Sequence, residues 1–222
     1  KGFCLLIWFI TIDVFADSPD TSTMFYKAYL QLENADVIYV NQHGLDDYAV
    51  SRLLSNEVSI DVKAAICNCL GWNFEGNNHA KKFVKALLKF HRVKSANISS
   101  LTGDEALVYG YLLLLGDYFN PANAEPYLQH AIALKPKSCT CAMILALCHA
   151  QEVMDYNYCS VWKCYKEVDT NKSLNRDLAF GAIEIIYDYM KLYEDTCHLL
   201  FRFNLFLNFI CELQSPLRIH FT

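Results

Sequence analysis

Proline and glycine are scarce in this chain of 222 residues, with five of the first and eight of the second. So few turn-formers argue against a fold of many short strands and favour long regular elements. Charge is sparse as well. Charged types make up 19% of the residues and hydrophobic types 54%, a balance that excludes a disordered chain. The surplus is acidic, with a net charge of −5, which counts against nucleic acid as the main partner because phosphates call for a positive surface. Catalytic signatures are missing too: there is no Gly-rich phosphate loop, no H-E-x-x-H and no G-x-S-x-G. The seven histidines have no carboxylate or nucleophile at a telling offset, so no enzyme is expected and no cofactor is assigned.

Cysteine, by contrast, is plentiful at ten residues. Cys67/Cys69 and Cys139/Cys141 are C-x-C pairs. In a helix, residues two apart point about 200° from one another, so neither pair chelates one ion from one face. The cysteines are expected to act as small buried hydrophobes, with no pairing scheme visible.

The most informative stretch is Leu101 to Pro136. Thr102 precedes Glu105 by three residues, a capping box that predicts a helix start. An apolar helix runs to about Leu115 and breaks at Gly116-Asp117. A second begins near Asn123, where Pro126 is tolerable because the first turn has no N–H to lose. Its apolar residues Ala124, Tyr127, Leu128, Ala131 and Leu134 step by three and four, and Pro136 stops it. The result is a helical hairpin of about 34 residues with two apolar faces to cover.

Gly110 within the first helix, the turn Gly116-Asp117-Tyr118, Ala131 late in the second helix and the closing Pro136 resemble a tetratricopeptide repeat. Ser59 to Lys94 is similar to the same pattern through Ala64, Ala65, Gly71, Phe74, Gly76, Ala80, Val84 and Leu87. Further units run from Ser138 to Thr170 and from about Asn175. The small residues Gly71, Gly110, Ala146 and Gly181 recur at intervals of 39, 36 and 35, and the turn tyrosines Tyr118, Tyr156 and Tyr193 at 38 and 37. Two markers at nearly one period are the sign of a helical array.

Either side of these units the chain divides differently. Residues 1–16 read as a secretory signal peptide or an apolar N-terminal helix. In the first case the setting is the secretory pathway or extracellular, and Asn97 and Asn171 are glycosylation candidates. Otherwise it is cytoplasmic. A helix is expected from Ser18-Pro19, with Phe25, Ala28, Tyr29 and Leu32 on one face, then a turn near Asn41 to Gly44 and a shorter helix from Leu45 to Leu54. The tail from His198 reads as a capping helix or the end of an incomplete chain, with 212–222 beyond the repeat domain. Arg202 interrupts its apolar run, so no membrane span is expected.

The fold expected is all-α: a right-handed α-solenoid of about five antiparallel helical hairpins over residues 17–211. What the resemblance implies is a non-catalytic adaptor or scaffold whose concave groove takes a peptide or helix of another protein. Positions −3, +1 and +4 from each small residue nominate Asn68, Trp72 and Glu75, then Leu107, Tyr111 and Leu114, then Met143, Leu147 and Ala150. If further chain covers that face, these residues are core instead. Two other classes compete. One is an enzyme or metal protein using the scattered Cys and His residues. The other is an RNA-binding helical repeat using Lys81 to Lys94, a basic strip that otherwise reads as a solvated face or a docking surface for an acidic partner.

Overall fold

Residues 18–72, 78–95 and 97–197 are described by the structure, a computed structural model. Every regular element among them is helical, apart from one isolated bridge between Ser138 and Asn175. In chain order the α-helices are α1 (Pro19–Ser22), α2 (Tyr26–Gln31), α3 (Ala35–His43), α4 (Asp47–Leu54), α5 (Ile60–Leu70), α6 (Asn78–His91), α7 (Gly103–Gly116), α8 (Glu125–Leu134), α9 (Cys139–Val153), α10 (Tyr158–Asp169) and α11 (Phe180–Met190). None is long and apolar enough to cross a membrane. The expected signal segment 1–16 and the tail from His198 lie outside the described residues.

Local chemistry sets the helix boundaries. The Thr102 hydroxyl accepts from the Glu105 N–H, and the Glu105 carboxylate accepts from the Thr102 N–H at 2.9 Å, so the capping box of α7 is complete. Pro126 sits in the first turn of α8. Asn34, Asp46, Ser138 and Asn157 cap α3, α4, α9 and α10 with their side chains.

Two expectations need correction. The helix read from Ser18 toward Asn41 is three shorter ones. Thr23 ends α1 by donating its hydroxyl to the Pro19 carbonyl, and Glu33, at φ 53°, turns the chain before Asn34 caps α3. Phe25, Ala28 and Tyr29 are buried as expected, but Leu32 faces solvent. The recurring small residues also differ in role. Gly110 is a contact residue: a Cβ there would lie 2.9 Å from Leu128 Cδ2 and 3.0 Å from Tyr127 Cβ, so its bareness lets α7 and α8 close up. Gly71 instead ends α5 at φ +61°, a backbone that favours glycine, and nothing among the described residues packs tightly on it. Gly181 opens α11 and faces Ala28 across a 3.3 Å gap from its would-be Cβ.

Some helices pack on their chain neighbours and others on helices further along the chain. α7 lies against α8 and α9 against α10, while α3 packs on α5, α5 on α7, and α8 on α9. Across these helices runs the N-terminal segment. Helix α1 contacts α7, α9 and α11, and α2 contacts α3, α5 and α11. Tyr29 ties this strap to two parts of the fold: its hydroxyl donates to Asp61 of α5 at 2.8 Å and accepts from the Ala179 N–H, which precedes α11, at 3.3 Å. The fully buried Phe25, Phe83, Tyr111 and Tyr165 are each worth about 1.5–3 kcal/mol of apolar burial.

Among the described residues one cation is buried within this packing. Lys63 of α5, only 1% exposed, pairs with Asp104 of α7 at 2.7 Å, and Lys135 reaches the same carboxylate at 2.8 Å. A disulfide joins Cys159 in α10 to Cys197, a link that spacing alone does not identify.

Candidate partner-binding site

The nine groove positions fall into three groups. Leu107, Tyr111 and Leu114 on α7 and Met143, Leu147 and Ala150 on α9 are completely buried. Asn68 is buried on α5, with its side chain tied to the strap: it accepts from the Tyr26 N–H at 2.9 Å and donates to the Thr23 carbonyl at 3.0 Å. Phe25 stacks on Tyr111, the ring centroids 6.4 Å apart. These seven are core in this structure: Asn68 and Tyr111 meet residues 23–26 directly, and α1 packs on both α7 and α9. Glu75 lies outside the described residues. Of the eight that are described, Trp72 alone is exposed, at 45%.

Trp72 stands at the edge of a cavity of about 900 Å³. The positive φ of Gly71 ends α5 and swings Trp72 away from the helix line. Tyr118 meets it edge-to-face at 5.8 Å, and Phe119, 81% exposed, leans on Tyr118 at 4.2 Å. The strap closes one side through Met24 and Tyr26, and the C-terminal end of α9 closes another. That end brings the exposed carboxylates Glu152 and Asp155. No Lys, Arg or His occurs among the described lining residues, so the local potential is negative.

Phe119, Glu152 and Asp155 were not picked out by helical spacing. Their signal lies in the turns: an aromatic pair directly after the break of α7, and acidic residues in the last turn of α9 and the turn after it. Aromatic rims beside carboxylates suit cations, since ring faces attract an ammonium or guanidinium by roughly 0.5–2 kcal/mol. The chain matches no protein-family model, no curated protein and no solved structure.

Nucleophile chemistry has little support in the thiols. Burial pushes Cys69 and Cys141 up to about 11 and also raises Cys67, Cys139, Cys148 and Cys164, which keeps all six as thiols near neutral pH. Among the described residues no group of three His, Cys, Asp or Glu side chains could hold a metal ion.

Proposed function

We propose that this chain is a non-catalytic adaptor, built as a right-handed α-solenoid of tetratricopeptide-like hairpins, that binds a segment of another protein. The observation that carries the binding role is the cavity beside Trp72, where three aromatic side chains and the exposed carboxylates of Glu152 and Asp155 meet at the ends of α5, α7 and α9. Such a surface suits an extended segment bearing Arg or Lys, its aliphatic stem on the rings and its charge toward Glu152 and Asp155. The hairpin reading is supported by the packing of α7 on α8 and of α9 on α10 and by the close approach at Gly110.

An oxidising, secretory setting is supported by the Cys159–Cys197 disulfide and by the exposure of Asn97 and Asn171. Selection of a random peptide library on the immobilised chain tests the adaptor role. Recovered peptides are expected to be rich in Arg or Lys next to apolar residues. A pool with no shared chemistry contradicts it.

A further inference from the structure

A second depression, of about 940 Å³, lies between α4 and α6. Its floor is apolar, formed by Val50, Leu54 and Ala86. Its rim is cationic: Lys82, Lys85, Lys89 and Arg92 line it, against one carboxylate among the described lining residues, Asp47. Phe90, 61% exposed, stands beside them. The chain as a whole carries −5, so this is a local reversal of sign.

Helix-internal needs do not explain these cations. Cations in a last turn complement the helix dipole, which accounts for Lys89 but not for Lys81, Lys82 or Lys85. Lys81, Lys85 and Lys89 follow one another at intervals of four, where like charges repel. Among the described residues no carboxylate pairs with any of them; Lys82 instead donates to the Leu45 carbonyl, which holds it against the start of α4. Arg92 adds a further cost. It closes α6 at φ 56°, the left-handed position that glycine fills most readily, while its own N–H and that of Val93 donate to Lys89 and Leu88 carbonyls.

We infer that this groove is a docking site for an acidic amphipathic segment of a partner protein, with the partner's carboxylates on Lys85, Lys89 and Arg92 and its apolar side chains on Val50 and Leu54. Charge complementarity selects the occupant's sign. The apolar floor and the lone aromatic on the rim favour a peptide over RNA, which needs stacking platforms along a continuous basic track. The site is separate from the Trp72 cavity and opposite to it in charge, so the two sites together would join a basic and an acidic partner segment through one chain.

Fluorescence anisotropy tests this with a labelled peptide in which Glu residues alternate with Leu along one helical face. A Glu→Gln version and a single-stranded RNA serve as comparison probes. The acidic peptide is expected to bind, the Gln version to lose binding, and Lys85→Gln/Lys89→Gln to weaken it about tenfold, the scale of two partly desolvated ion pairs. Arg92→Gly separates function from folding: it should raise the unfolding midpoint by relieving the backbone while weakening the peptide. RNA binding tighter than the peptide, equal affinity for the Gln version, or affinity unchanged in both variants overturns the proposal. So does self-association of the chain that the same lysine substitutions abolish, because the groove would then belong to a second copy.

Discussion

The Asn68 side-chain amide donates to the Tyr111 hydroxyl at 2.9 Å, joining α5 to α7 beneath the strap. Both residues are nearly or completely shielded from solvent. Their helical spacing alone would have turned them toward a partner; here the chain's own residues 18–31 take that place. Tyr111→Phe, which removes one buried acceptor, should cost about 1–2 kcal/mol in urea unfolding. Tyr111→Ala should cost about 3–5 kcal/mol through the cavity it opens. A binding surface residue would show neither loss.

Gly110 should tolerate no methyl group. Side-chain atoms of Leu128 and Tyr127 in α8 would lie 2.9–3.0 Å from its would-be Cβ, inside van der Waals contact, and the innermost of them, Tyr127 Cβ, cannot swing away without α8 moving. Gly110→Ala is expected to lose about 1–3 kcal/mol despite alanine's better helix propensity. Thermal unfolding with circular dichroism reads the sign directly.

Asp20 sets the alkaline side of the strap's stability. It is fully buried on α1, and neither carboxyl oxygen has a hydrogen-bond partner among the described residues. Burial raises its proton affinity well above the carboxylate norm, and the group is near enough to Tyr111 and Cys148 to perturb both. The folded state therefore holds a proton that the unfolded chain releases near pH 4, so the contribution of Asp20 is most favourable below about pH 4 and falls as pH rises toward its raised folded value. Hydrogen exchange of residues 18–31 should quicken with pH beyond the intrinsic base catalysis of exchange. Asp20→Asn should remove that excess while leaving the rest of the chain unchanged.

Asp104 works in the opposite direction. Burial pushes its carboxyl up, but the Lys135 and Lys63 ammonium groups outweigh burial and hold it below the usual carboxylate range. Its contribution is present above the unfolded value of about 4 and is lost as pH falls through the lowered folded one. Asp104→Asn should therefore flatten the acid limb of a pH–stability curve. At neutral pH it should cost about 3–5 kcal/mol, because Lys63 is left buried with no counter-charge.

Cutting the covalent tie has a similar scale. Cys159→Ser opens a loop with a sequence separation of 38 residues and should lower stability by about 2–4 kcal/mol under oxidising conditions. Under reducing conditions the variant and the parent chain should coincide.

Helix-forming chemistry was readable where it is local. The Thr102–Glu105 box, the break after Gly116 and the amphipathic α6 follow from neighbours within four residues. The α1–α2–α3 breaks were not, because Thr23 and Glu33 act through backbone geometry that apolar spacing does not encode. Tertiary placement was least legible. Periodicity identifies an apolar face on α7 and α9, yet says nothing of whether a partner or the chain itself covers it, and residues 18–31 decide that point. A regular interval between glycines likewise merges a packing glycine, Gly110, with a helix terminator, Gly71.

The most direct test of the account is calorimetric titration of a selected Arg- or Lys-bearing peptide into the full chain and into Trp72→Ala, Phe119→Ala and Glu152→Gln/Asp155→Asn. Loss of about tenfold or more in affinity for each variant, with the folded spectrum retained, is the predicted result, on the scale of one lost cation–π or ion-pair anchor. Unchanged affinity in the folded variants would contradict it and move recognition away from the ends of α5, α7 and α9.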